Sequence, residues 1–165
     1  MKNPRYQGGG SSHVNSFKVT SVWDALTEKE NVIYAEGFSS ETDVYDEKLA
    51  AEAIEAAKQV DKAVVFAGLP ESFESEGYDR KHMHLPECQN KLIAEIVKAQ
   101  LNTIVVLHNG AAVEMPWLKD VKGLVEAYLG GQAVGQAEAN ILYGNVNPSG
   151  KLAETLPIKL EDNPS

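Results

Sequence analysis

The sequence predicts an α/β protein with a mainly parallel sheet and helices on both faces, and two observations carry this. Short, continuous apolar runs of the kind that fill strands buried on both faces alternate with segments whose apolar residues recur at helical spacing. The order of these segments, β-α-β-α-β-x-β-α, calls for helical crossovers and therefore parallel strand pairing.

Each element has its own warrant. Residues 1–16 are rich in Gly and Ser, without apolar periodicity, and are expected to form a loop. Asn31–Phe38 is expected to be a strand running out into a loop. Asp46–Lys62 is expected to be a helix, with Asp46 as N-cap. Its Leu49, Ala53, Ala56, Ala57 and Val60 share one face, with Glu52, Glu55 and Lys58 off it. Lys62–Leu69 is a short apolar run and a second strand. A polar loop follows from Pro70 to Leu85. Pro86 suits the first turn of a helix, where its missing N–H costs nothing. That helix runs to about Gln100, with Leu92, Ile93, Ile96 and Val97 as its buried stripe. Asn102–Leu107 is a third buried strand and Gly123–Leu129 a fourth. Gly130 and Gly131 open the last helix, where Val134, Ala137, Ile141 and Leu142 align, and Asn147-Pro148-Ser149-Gly150 makes a turn. In such sheets ligands gather at the carboxyl ends of the strands. The loops after Phe38, Leu69, Leu107 and Leu129 should therefore share one edge.

Composition narrows the function. The 165 residues carry 15 basic and 24 acidic side chains, a net charge of −9. The pI is about 4.9. Neither a nucleic-acid backbone nor an anionic membrane surface is a natural partner for such a chain. The single cysteine, Cys88, excludes an internal disulfide framework and any multi-cysteine metal site. With no apolar h-region near Met1 and no long apolar span, the expectation is a cytoplasmic protein, unless a signal lies upstream.

The densest polar segment is Glu71-Ser72-Phe73-Glu74-Ser75-Glu76-Gly77-Tyr78-Asp79-Arg80. Its three glutamates repel one another, and burying one would raise its pKa toward the range of a general acid. Gly77 allows a sharp turn beside Glu76, and Arg80 can anchor the loop through Asp79 or another carboxylate. A solvated acidic loop is the plain alternative. Gln7-Gly8-Gly9-Gly10-Ser11-Ser12-His13 lets backbone approach a ligand closely, but it lacks the Lys-Ser/Thr ending of a phosphate loop. No nucleophile elbow is present. His13, His82, His84 and His108 make no zinc spacing, so no metal is expected. Cys88 stands at a helix start, where a thiolate can be favoured, although a small semi-buried side chain is the preferred reading. Trp23 and Trp117 are read as packing residues before sugar-stacking ones.

Four segments together resemble one family. Pro4-Arg5-Tyr6-Gln7-Gly8-Gly9-Gly10-Ser11-Ser12-His13 is similar to the opening loop of the C-terminal α/β domain of glycoside hydrolase family 3, the β-glucosidase family. Glu74-Ser75-Glu76-Gly77-Tyr78-Asp79-Arg80, followed by Leu85-Pro86, resembles that domain's acid/base loop. Gly130–Ala137 and Leu142–Leu152 resemble its closing helix and turn. The matches fall in the family's order and span essentially all of residues 1–165.

The resemblance implies a three-layer sandwich with a roughly six-stranded sheet in a flavodoxin-like arrangement. It also implies a retaining, exo-acting β-glycosidase whose nucleophilic aspartate lies on a preceding (β/α)8 barrel domain. Glu76 matches the acid/base and Ser11 a serine that contacts the sugar. Glu74 and Glu71 are the alternatives if the loop register differs. No cofactor is implied, and the partners are a β-glycoside substrate and the barrel domain of the same protein. A barrel needs about 250 residues and this chain has no nucleophile motif, so the sequence reads as a fragment of a longer enzyme, inactive alone. Two other readings stand beside this one: a non-catalytic carbohydrate-binding or interaction module, and a flavodoxin-like nucleotide or flavin binder.

Overall fold

A computed structural model describes residues 2–26 and 31–164. Its elements, in chain order, are α1 (Val22–Leu26), α2 (Glu47–Lys58), β1 (Ala63–Gly68), α3 (Glu87–Ala99), β2 (Thr103–His108), β3 (Gly123–Glu126) and α4 (Val134–Leu142), with short 3-10 turns at Gly10–Ser12 and Leu160–Asp162. The strands lie in the order β1-β2-β3. Both pairings are parallel: Ala63 faces Thr103 and Gly68 faces His108, while Ile104 faces Gly123 and Leu107 faces Glu126.

Alternation along the strands sorts side chains to two faces. Ala63, Val65 and Ala67 of β1, with Val105 and Leu107 of β2, join Ala50, Ala57, Leu92, Ile93 and Ile96 of α2 and α3 in the main core. Phe66 points the other way, into a smaller cluster with Val22 and Leu26 of α1 and Ala139 of α4. The sheet therefore has helices on both faces, as the alternation predicts. Asp46 caps α2, its carboxylate accepting from the N–H groups of Lys48 and Leu49.

Several expectations are corrected. Among the described residues the sheet has three strands rather than about six. Asn31–Phe38 is not a strand, although Val32 packs on the smaller cluster. A strand-like pattern becomes a strand only where a neighbour offers a ladder of N–H and C=O groups. The outer edge of β1 offers no such ladder at Gly68, whose N–H and C=O are taken by the Gln89 side-chain amide at 2.8 and 3.0 Å. The fourth expected strand stops at Glu126, because Tyr128 adopts φ +49. The last helix begins at Val134, beyond Gly131 with its φ of +75. The sequence reading contained no α1. This short helix is held by Ser21 and Asp24, whose side chains bond each other at 2.7 Å.

Trp117 is a packing residue, buried with its indole N–H on Asn90 Oδ1 at 3.0 Å. Trp23 stacks obliquely on Tyr34, with Lys2 Nζ over both rings. Cys88 is 2 % exposed, and burial beside Asp43 pushes its thiol up to about 12. We expect this thiol to stay unmodified by an aromatic disulfide reagent at pH 8 in the folded chain and to react fully in denaturant. Prompt reaction without denaturant would contradict the packing of the α3 start.

Candidate functional site

The polar loops meet at the carboxyl ends of the strands. The segment around Arg5 crosses this edge. Its guanidinium donates to the carbonyl of Leu69, just past β1, at 2.6 Å. It also pairs with the Glu74 carboxylate and donates to the Glu74 carbonyl at 3.1 Å. Glu74 accepts in addition the N–H of Gly110, after β2, at 3.0 Å. Arg5 and Glu74 thus fasten the Arg5 segment to the ends of β1 and β2, and both are largely screened from solvent. The Tyr6 carbonyl accepts the N–H of Gly131 at 2.8 Å, which adds the segment before α4.

Beyond Tyr6 the chain enters the glycine loop. Gln7 braces it, accepting the Val14 N–H at 2.9 Å and donating to the Val14 carbonyl at 3.2 Å. Gly10 has φ +72, and a Cβ there would lie 2.5 Å from Glu76 Oε2. Both the backbone angle and the close approach require glycine. The Ser11 N–H then donates to Glu76 Oε2 at 2.7 Å. This bond and the Ser11 hydroxyl hold the Glu76 carboxyl below the usual carboxylate range. Glu76 is exposed, so the rise expected for a buried loop glutamate does not occur in this chain. Glu71 rests its carboxylate against Gly9. Gly77, at φ +94 with open space around it, makes the sharp turn beside Glu76.

The structure therefore brings Ser11, Glu71, Glu74 and Glu76 to one place. It also separates their environments: Glu74 is tied to a cation, whereas Glu76 meets only neutral donors of the glycine loop. Tyr78 closes the start of the acidic loop, its hydroxyl donating to the carbonyls of Glu71 and Ser72 at 3.2 and 2.9 Å. Arg80 anchors the loop differently from the expectation. It donates to the Ala112 carbonyl at 2.6 Å instead of clasping Asp79. His82 stacks on His84, which pairs with Glu114 at 3.0 Å.

Sequence reasoning missed several members of this edge. Arg5 was only part of a motif, and the clasp it makes depends on contacts 64 and 69 residues away. Glu126, the last residue of β3, and Asn109, just past β2, bond at 3.3 Å. Burial raises the Glu126 carboxyl, partly offset by the Tyr128 N–H and the Asn109 amide. Glu138 had a legible signal: it follows Val134 by four residues on the apolar stripe of α4, where a carboxylate needs a partner. That partner is His108, at 3.0 Å.

An α/β domain with helices on both faces, and with a glycine loop and an acidic loop meeting over its strand ends, defines the class. Comparison places the chain within it. Residues 1–165 match the glycosyl hydrolase family 3 C-terminal domain, and the chain belongs to this family. It is 53% identical to the thermostable beta-glucosidase B of Acetivibrio thermocellus, over 100% of this chain and 22% of that protein. It is 43% identical to an exo-alpha-(1->6)-L-arabinopyranosidase of Bifidobacterium longum, over 99% of this chain and 22% of that protein. The crystal structure of a GH3 beta-glucosidase from Bifidobacterium adolescentis superposes with a TM-score of 0.92 at 44% identity, covering 98% of this chain and 24% of that one. The chain thus spans less than a quarter of the length of these relatives.

Proposed function

We propose that this domain supplies the general acid/base of a retaining, exo-acting β-glycosidase, with Glu76 as the acid/base and Ser11 as a residue of the sugar site. The reading is supported above all by the different fates of the loop glutamates. Glu74 is committed to Arg5 and the Gly110 N–H, whereas Glu76 is exposed beside the glycine loop and meets only the neutral donors of Ser11. A carboxyl that must give up a proton and later regain one cannot be held against a guanidinium. Glu71 is the next candidate.

The nucleophile and most of the sugar site belong to another part of the protein, a (β/α)8 barrel on the resemblance. Phe17 and Val14 support a site completed in this way: they are 100% and 63% exposed beside the glycine loop, apolar surface suited to burial against a neighbouring domain. In the first step Glu76 protonates the leaving oxygen while the nucleophile attacks the anomeric carbon. In the second it takes a proton from the water that hydrolyses the glycosyl-enzyme. Relatives named for a β-glucosidase and for an arabinopyranosidase match this domain at similar coverage. The choice of sugar is therefore assigned to the rest of the protein.

Azide tests the assignment. In the full-length protein carrying Glu76→Ala, a small anion can attack the glycosyl-enzyme without base assistance. The expected product is a glycosyl azide of retained configuration, formed from an activated aryl glycoside. Absence of that product, with Glu76→Ala hydrolysing normally, would remove Glu76 from the role.

A further inference from the structure

We infer that His108 and Glu138 form a buried pair that positions the glycine loop and the acid/base loop by holding the main chain of Arg5; the inference rests on the function proposed above. His108 is the last residue of β2 and Glu138 lies on α4. Their side chains are 8% and 4% exposed, with His108 Nε2 3.0 Å from Glu138 Oε1. Neither Glu138 oxygen has an in-line hydrogen-bond donor among the described residues. The imidazole is therefore what compensates this carboxylate, and an uncompensated buried charge would cost several kcal/mol.

The other ring nitrogen faces the Arg5 carbonyl, Nδ1 to O, at 3.2 Å. A carbonyl can only accept, so Nδ1 carries a proton and donates it. At the other side of the ring Nε2 lies beside the Glu138 carboxyl, so the imidazole bridges α4 and the Arg5 main chain.

Arg5 is the point on which both arms of the Glu76 environment depend. Its guanidinium clasps Glu74, two residues before Glu76. Its main chain leads through Tyr6 to the glycine loop, whose Ser11 N–H meets Glu76. Fixing the Arg5 carbonyl fixes where both arms start. Neither His108 nor Glu138 contacts Glu76, so both are positioning residues.

Two near-isosteric variants separate this role from simple core filling. In His108→Asn/Glu138→Gln the asparagine amide lies near the Nδ1 position and can still donate to the Arg5 carbonyl. In His108→Gln/Glu138→Gln the amide reaches toward α4 and the donation to Arg5 is lost, while both buried groups remain paired. The full-length protein is assayed with an alkyl and an activated aryl β-glucoside, and hydrogen exchange is followed over residues 6–13. For the second variant we expect kcat/KM on the alkyl substrate to fall about tenfold to a hundredfold, since small misplacements of a catalytic group cost on this scale. The aryl substrate should change less than about threefold, because it needs little acid assistance. Exchange over residues 6–13 should quicken about tenfold, in line with one lost hydrogen bond. The first variant should restore both readouts to near the parent values.

Equal behaviour of the two variants in exchange would overturn the inference. Should either fail to fold, His108→Leu/Glu138→Leu, an apolar pair of the kind cores tolerate, must show the second variant's losses, and its failure to do so overturns the inference equally. Glu76→Ala serves as control. If that control lacks the substrate split, the acid/base assignment fails, and the positioning role is judged on exchange alone.

Discussion

Glu76→Ala in the full-length protein is expected to lower kcat/KM for an alkyl β-glucoside by about 10²–10⁴-fold, the usual contribution of a positioned general acid. An activated aryl glucoside should lose far less in its first step, because its leaving group departs without a proton. The asymmetry between the two substrates is the diagnostic. Glu74→Gln should show the same split in weaker form, because it loosens the Arg5 clasp that positions the Glu76 loop and leaves the proton donor in place. The sign of the Glu76 pKa shift matters here. Ser11 holds the carboxyl below the ordinary range in this domain, which favours the base form needed in the second step. On the proposed role, the acid form needed first comes from the charge of a nucleophile about 5–5.5 Å away, as in retaining enzymes, which would raise the Glu76 pKa until the glycosyl-enzyme forms. A depressed folded-state pKa adds stability above the unfolded value, and that stability is lost as pH falls through the folded one. The Ser11–Glu76 contact should therefore loosen on the acid side of the profile. If Glu76→Ala hydrolyses both substrates normally, the same comparison passes to Glu71.

Gly68→Ala is expected to be the most damaging small substitution to the fold. A Cβ at Gly68 would lie 2.0 Å from the backbone oxygen of His108. The obstacle is β2 itself, so no side chain can rotate away and the two strand ends must separate. Overpacking of this kind costs about 3 kcal/mol. The same shift would disturb the Gln89 amide on the Gly68 N–H and C=O and the Leu69 N–H on the His108 carbonyl at 3.1 Å. In urea, with the buried Trp117 as fluorescent reporter, the midpoint should fall by about 1–2 M. An unchanged midpoint would mean that β1 and β2 do not approach this closely at their carboxyl ends. Because Arg5 takes the Leu69 carbonyl and His108 takes the Arg5 carbonyl, the substitution should reduce activity in the whole protein as well.

How much was legible varies by residue. The acidic loop, the glycine loop and the turn at Gly77 could be placed from the order of residues, because each depends on the backbone freedom of glycine or on local charge. The helices α2 and α3 could be placed because Asp46 and Pro86 are local start signals. The strand expected at Asn31–Phe38 could not be judged, since a strand is made by its neighbour and not by its own pattern. Cys88 agrees with the preferred reading of a small packed side chain, and burial beside Asp43 pushes its thiol up instead of favouring a thiolate.

The sequence by itself determined the α/β class, the edge of the sheet that carries the polar loops and the short set of candidate carboxyls, all of which follow from periodicity, turn chemistry and ordered motifs. Only the tertiary structure decided how the three carboxyls differ. Glu71, Glu74 and Glu76 are the same residue type within six positions of one loop. They differ because Arg5, Gly110 and Ser11 arrive from distant parts of the chain, and a carboxylate's chemistry is set by the charges and donors that fold against it.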